Sequence, residues 1–191
     1  MAILKIARMG HPVLLQHAEQ VENPGAQEIR QLVSDMIETM IDATGAGLAA
    51  PQVHVSKRIF VFRVNANRAT GDAEDRPVGN TVVINPEIEL LGEDVSLRWE
   101  GCLSIPGLRA AVPRAWRIRY KGVDCDNQPV GGEVTGFHAG VVQHEYDHLD
   151  GIMYPMRMTD FSQFGFNEEL ARVAAEQAAA IQAAAEQTGT R

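Results

Sequence analysis

Hydrophobic positions recur with two different periods along the chain. Ile29, Leu32, Val33, Met36, Ile37, Met40 and Ile41 are spaced by three or four residues. That spacing draws one apolar stripe along an amphipathic helix. Asn23-Pro24 offers a cap and a first-turn proline for it, and Gly45 a stop. The centre of the chain reads differently. Residues 58–62, 81–85, 87–91 and 117–120 are short runs of β-branched or aromatic residues bounded by Gly, Pro or Asn, which predicts strands. Residues 129–137 read as a further strand despite Gly131, Gly132 and Gly136. Between the first two strands, residues 65–80 are polar, hold Gly71, Pro77 and Gly79, and are expected to form a surface loop. A second helix is predicted from about His138 to Leu149, closed by Gly151. An alanine-rich, helix-prone segment follows from about Gln163 to Gln187. A helix, several strands at hairpin spacing and another helix favour α+β over an alternating parallel sheet.

Composition narrows the class without naming a chemistry. With 191 residues, 45% of them hydrophobic and 22% charged, the chain is expected to form a single domain over residues 1–191. Residues from about 163 to 191 would be its C-terminal helix or tail. A formal charge of −8 argues against a DNA binder that neutralises phosphates. Cys102 and Cys125 are too few for a disulfide framework and suggest a reducing compartment. The first ten residues lack a signal-peptide core, and no apolar run of about 18 residues occurs. The expectation is a cytoplasmic protein without a membrane segment.

The chemistry is concentrated in the second helix, at His144-Glu145-Tyr146-Asp147-His148. Histidines four apart lie one above the other on a helix face, so both imidazoles can reach one metal ion. Glu145, beside the first of them, can act as general base on an activated water without ligating the metal. A catalytic site needs a third protein ligand. No histidine follows His148, and the nearest downstream acids are Asp150, Asp160, Glu168 and Glu169. Asp150 is two residues on and faces away from the histidine stripe. Upstream, Glu100-Gly-Cys-Leu-Ser104 places Cys102 in a turn after a strand, where a thiolate could point at a neighbouring helix. A lone cysteine is also commonly a small buried hydrophobe. Cys125 keeps that plainer reading, because Asp124 and Asp126 would disfavour its thiolate. A third segment, Gly45-Ala-Gly-Leu-Ala-Ala-Pro-Gln52, combines glycines that permit close backbone approach with a stiffening Pro51 and the amide of Gln52.

Taken together, residues 45–52, 100–104 and 143–148 resemble, in order and spacing, the three sequence blocks of the peptide deformylases. The resemblance runs from Gly10-His-Pro-Val-Leu14 to about Met158. It implies mostly antiparallel sheets packed around a central metal-binding helix, with an N-terminal amphipathic helix and a C-terminal helix. It also implies an enzyme that removes the formyl group from N-formylmethionine of newly synthesised polypeptides and releases formate. Cys102, His144 and His148 would hold one divalent ion. Ferrous iron is the expected native ion, and zinc, nickel or cobalt could occupy the site in purified protein. Glu145 would be the general base and acid, with the Gln52 amide and the Leu103 N–H stabilising the oxyanion. The substrate would lie extended against Gly45 and Gly47, with Phe137 and Val141 walling the methionine pocket. Glu100, placed with the substrate-binding residues, would pair with Arg109 or Arg114 to hold the Cys102 loop.

Some deformylases dock on the ribosome through a basic C-terminal helix. Here residues 167–191 carry four Glu against two Arg, which argues against this tail gripping ribosomal RNA, while a transient contact with the ribosome exit region stays open. The weak stripe Leu170, Val173, Ala174 and Ile181 is expected to pack on the body or fray. Two rival readings stay open at this point. A metallopeptidase shares the base and metal but should carry a downstream third ligand. A metal-binding relative without catalysis should have lost the base or an oxyanion donor.

Overall fold

The computed structural model describes residues 2–188, with side chains through residue 182. The apolar stripe forms α1 (Gln27–Asp42), where Val33, Met36 and Met40 are buried while Ile41 is exposed. Both ends differ from expectation. Asn23-Pro24 lies in a turn before the helix, with Ala26 at the cap position and no side-chain cap bond. At the other end Thr44 takes the left-handed conformation, and the Gly45 N–H reaches back to the Met40 carbonyl.

Among the described residues, eight strands make two antiparallel sheets. The larger one has the order β1 (Gly47–Ala49), β2 (Ile59–Val64), β3 (Val78–Leu90), β6 (Arg117–Val123), β7 (Pro129–Thr135). The smaller joins β4 (Val95–Cys102), β5 (Ile105–Ala115) and β8 (Phe164–Phe166). Helix α2 (Gly136–Leu149) packs against the large sheet and meets β4 and β5 on its other side; α3 (Asn167–Thr188) follows β8. The fold is α+β, as expected.

Strand β2 shows how the layers are held. Ile59 and Val61 face the cluster of Met36, Met40 and Leu48 beneath α1, while Phe60 and Phe62 face Ala139, Val142 and Leu149 of α2. At β2 the large sheet is therefore covered on both faces, which explains why this strand is a continuous apolar run rather than an alternating one. Helix α2 is buried nearly all round, so its polar residues must each find a partner or a function.

Several elements depart from the pattern reading for identifiable reasons. The runs 81–85 and 87–91 join into one strand, β3, because Asn85 absorbs the break. Its backbone is left-handed, and its amide pairs with both the N–H and the carbonyl of Val21 at 2.8 and 2.9 Å. The 65–80 loop gives its last residues to β3, and it is not wholly a surface feature. Asp75 is buried and accepts hydrogen bonds from the Phe137 and His138 N–H groups, capping α2 from outside its own segment. Strand β7 ends at Thr135, so α2 begins two residues earlier than expected. The alanine-rich helix begins at Asn167, later than expected, after a short 3-10 turn and β8. Of its stripe only Leu170 packs on the body; Val173, Ala174 and Ile181 are exposed. Residues 189–191 of the expected tail lie outside the described residues.

The buried His138 gives the fold a specific pH dependence. Burial pushes its imidazole down to about 4, with nearby Asp75 opposing the shift, and its Nε2 lies 3.3 Å from the Tyr120 hydroxyl. An unfolded histidine titrates near 6.5. Below that pH the unfolded chain takes up a proton that the folded chain refuses until about pH 4. The stability His138 contributes is therefore complete above pH 6.5 and lost as pH falls to about 4, at most about 3 kcal/mol. Urea unfolding of metal-free protein should show this loss, and His138→Phe should lack that part of the slope. Parallel profiles for the two proteins would refute the assignment.

Candidate metal centre and active site

The hairpin of β4 and β5 turns at Leu103 and Ser104, with Cys102 paired to Ile105. Strand alternation turns Ser96, Arg98, Glu100 and Cys102 inward and leaves Val95, Leu97 and Trp99 exposed. Against that inner face lie residues of α2 four apart. Cys102 Sγ is 3.2 Å from His148 Nε2, and Glu100 Oε2 is 2.8 Å from His144 Nδ1. One donor atom each from Cys102, His144 and His148 lie within 4.8 Å of one another, and the two imidazoles cross at 82°. Tetrahedral ligands at about 2.0–2.3 Å from a shared ion would be spaced similarly.

The surroundings prepare these ligands. Burial opposes ionisation of Cys102, but the imidazoles of His148 and His144 hold its thiol well below the ordinary thiol range. Glu100 is also buried, yet His144 and Arg114 bring it down to about 2. A carboxylate only accepts, so His144 Nδ1 is the donor in that bond and Nε2 keeps its lone pair. Glu100 is fixed in turn by both Nε and Nη2 of Arg114, at 2.7 and 3.0 Å. Arg114 extends a third contact to Asp147 at 2.6 Å, and Arg157 closes on Asp147 at 2.7 Å. Of the two arginines proposed for Glu100, Arg114 takes it; Arg109 bonds Asn167 instead. The pair is buried rather than exposed, so losing one partner would leave a charge out of water, at a cost of about 3–5 kcal/mol.

Glu145 sits on the same turn as His144 and is 3% exposed. Burial raises its carboxyl to about 7, and Oε2 has no hydrogen-bond partner among the described residues. Its carboxylate lies flat against Gly47 of β1, where a Cβ would overlap it. This contact, rather than backbone conformation, requires glycine there. The 3-10 turn after β1 (Ala50–Val53) buries Gln52. Gln52 Oε1 accepts from the Ala49 N–H at 2.9 Å, which turns Nε2 toward Ser104 Oγ at 3.0 Å and Cys102 Sγ at 3.4 Å.

A cleft of about 840 Å³ opens over this centre. Gly45, Gly47, Gln52, Glu100, Cys102, Leu103, Phe137, Val141, His144 and Glu145 all line it. Of the proposed metal ligands, Cys102 and His144 line the cleft and His148 does not; Cys125 belongs to the cluster beneath α1. Other lining residues belong to no sequence motif. Arg98 is the next inward residue of β4, a position that strand alternation marks once β4 is recognised. Arg68 comes from the 65–77 loop and sits 4.3 Å over the Phe137 ring. Among the described residues no helix is long and apolar enough to cross a membrane.

Comparison with known proteins agrees with the geometry. The family model for polypeptide deformylase matches residues 3–164. Peptide deformylase 1 of Nitrosomonas europaea is 49% identical over 168 residues, which are 88% of this chain and 94% of that protein. Peptide deformylase 2 of Ralstonia nicotianae is 48% identical over the same shares of the two chains. Among solved structures, the Ehrlichia chaffeensis deformylase with actinonin superposes with a TM-score of 0.78 at 34% identity, covering 85% of this chain and 92% of that one. The Acinetobacter baumannii deformylase bound to Met-Ala-Ser gives 0.73 at 33% identity, covering 82% and 98%. A buried Cys-His-His cluster beside an orphaned glutamate, carried on a sequence that matches along most of its length, settles the kinship: the chain belongs to the polypeptide deformylase family of metal-dependent hydrolases.

Proposed function

We propose that this chain removes the formyl group from N-formylmethionine through a single metal centre, with Glu145 as the proton carrier. Deformylation of nascent polypeptides is the activity that family membership brings; the roles of individual residues are our reading. The observation that carries it is the Glu145 carboxylate, buried, raised to about 7 and with one oxygen unpartnered beside the Cys-His-His cluster. A base of that kind is matched to taking and returning a proton near neutral pH.

Cys102, His144 and His148 would hold one divalent ion. Bound there, the ion would supply Lewis-acid activation of a water molecule and of the formyl oxygen. The thiolate suits a softer divalent ion, and we take ferrous iron as native, with zinc, nickel or cobalt able to replace it. Glu145 accepts a proton from the attacking water at Oε2 and returns it to the departing amine. Nε2 of Gln52 and the backbone N–H of Leu103 are the donors for the developing oxyanion. The Ala49 contact keeps the Gln52 amide from flipping, so its donor end faces the centre throughout.

The peptide would extend along β1, which lies at the edge of the large sheet, and pair with the backbone near Gly45 and Gly47. Phe137 and Val141, seven and three residues before His144, would contact the methionine side chain. Glu100 borders the substrate but acts through His144 rather than on the peptide. We read residues 1–191 as one catalytic domain working in the cytoplasm, where nascent chains emerge. A metallopeptidase reading is disfavoured, because the third ligand precedes the helix and Asp150 is engaged by Arg58 at 2.7 Å.

Formate release from formyl-Met-Ala-Ser by anaerobically prepared protein is the direct test. No release with iron, cobalt or nickel bound would refute the reading. Glu145→Gln should retain the metal in elemental analysis yet lose about 100- to 10,000-fold in turnover. Cys102→Ala should lose the metal itself, and loss of metal from a Cys125 variant instead would overturn the ligand set. Gln52→Leu should keep the metal and lower kcat by about 100- to 1,000-fold. An unchanged kcat in that variant would remove Gln52 from the oxyanion site.

A further inference from the structure

The inner face of β4 continues past the metal centre. Cys102 meets His148, Glu100 meets His144, and the next inward residue, Arg98, meets Gly140. A Cβ on Gly140 would come within 3.0 Å of Arg98 Cδ and 3.4 Å of its Nε, so the arginine lies directly along the helix backbone. Its guanidinium is held on the Trp116 ring, 5.1 Å from the centroid. Both Arg98 and Gly140 line the cleft, one helical turn before His144.

Arg98 is a cation whose hydrogen bonds are not used. Its Nε and Nη2 are buried and have no partner among the described residues. The two acids that influence it, Asp75 and Glu100, have their oxygens committed elsewhere. Those of Asp75 cap α2 and hold Thr70, and those of Glu100 hold Arg114 and His144. Two further arginines line the same cleft without a carboxylate partner among the described residues. Arg68 rests on Phe137, and Arg109 donates only to the Asn167 amide oxygen. The acids of the cleft are Glu100, already paired, and Glu145. The wall facing the peptide is thus cationic although the chain as a whole carries −8.

We propose that Arg98 is a specificity-determining residue that receives the carboxylate of an acidic side chain in the two residues following formylmethionine. Arg68 and Arg109 supply the field that draws such peptides in. The planar guanidinium offers parallel N–H donors that suit a carboxylate better than any neutral group. Trp116 and Gly140 keep it in place before the peptide arrives, so little ordering is left to binding. The proposal rests on the deformylase reading and adds a preference within it.

The test compares formyl-Met-Ala-Ser, formyl-Met-Glu-Ser and formyl-Met-Ala-Glu, each with an amidated C-terminus so that the side chain is the sole carboxylate. With the metal-loaded enzyme, the better acidic peptide should show a KM lower by about tenfold and a similar kcat. Arg98→Leu should bring the acidic-to-neutral ratio of kcat/KM close to one, and Arg98→Lys should restore part of it through charge alone. Calorimetry of the deformylated, amidated products with the same holoenzyme should rank them in the same order. Equal KM values for the three peptides in the wild-type enzyme overturn the proposal, as does a preference that survives in Arg98→Leu. Should Arg98→Leu fail to fold, the wild-type ratio and Arg98→Lys decide: a Lys variant with the full wild-type preference counts against guanidinium recognition. If none of the peptides is deformylated, the reaction reading fails, while product binding still decides the preference.

Discussion

The site depends on the register between strand β4 and helix α2. The two run in the same direction, and two residues of a strand advance about 6.7 Å while four residues of a helix advance about 6 Å. Their repeats are therefore nearly commensurate. Successive inward side chains of β4 meet successive turns of α2 as Arg98 with Gly140, Glu100 with His144, and Cys102 with His148. Histidines four apart would be of little use to a metal without a strand that delivers the third ligand at the same height. A one-residue slip of β4 would turn Cys102 outward and bring Leu97 and Trp99 against the histidines. The long β4–β5 hairpin guards against this, and the Glu100–Arg114–Asp147 chain ties the hairpin to the helix. Such a buried ionic chain adds little net stability. Its value is positional: it sets the ring orientation of His144 and the tautomer that leaves the Nε2 lone pair free to bind an ion.

The large sheet contributes the other half of the chemistry. Strand β1 brings Gly47 beneath the Glu145 carboxylate, and the turn after it brings Gln52 beside Cys102. Each is held by an arrangement that has no spare room. A side chain at Gly47 would displace the Glu145 carboxylate, and the Ala49 N–H favours one orientation of the Gln52 amide. Burial of α2 between two sheets is what raises Glu145 while the neighbouring imidazoles lower Cys102. Two groups lining one cleft thus shift in opposite directions in one environment. Glu145 is pushed by lost solvation, and Cys102 is held by charge despite the same loss.

What could be read from the chain beforehand follows from how local each feature is. The α1 stripe and the His144–His148 pair are periodic within one element, and both were legible. Cys102, Gln52 and the histidines converge from three elements, and only the resemblance of three ordered blocks joined them. Strand β4 escaped the pattern reading because its inward face is Ser96, Arg98, Glu100 and Cys102 while Val95, Leu97 and Trp99 point outward. Its polarity is reversed from that of an ordinary half-buried strand, since it faces a metal centre rather than a core. Asn85 hid a continuous strand for a similar reason. Its side chain repairs a backbone break by pairing with Val21, sixty-four residues away, and no local window contains that partner. Asp75 likewise caps a helix that begins sixty-one residues later.

Net charge misleads here because the sum ignores where charges are already matched. On the outer surface Arg117 and Arg119 share Glu133, Arg119 also meets Glu89, Lys57 meets Glu19, and Arg30 meets Asp126. These pairs cancel locally and are further screened by salt. The cleft is built the other way. Arg68, Arg98 and Arg109 face it without carboxylate partners among the described residues, and burial lowers the proton affinity of Arg98. An acidic net charge and a cleft lined by arginines are therefore compatible in one chain. The same −8 that argues against binding RNA thus leaves room for a groove of the opposite sign, because field in a low-dielectric cleft is set by the charges that line it.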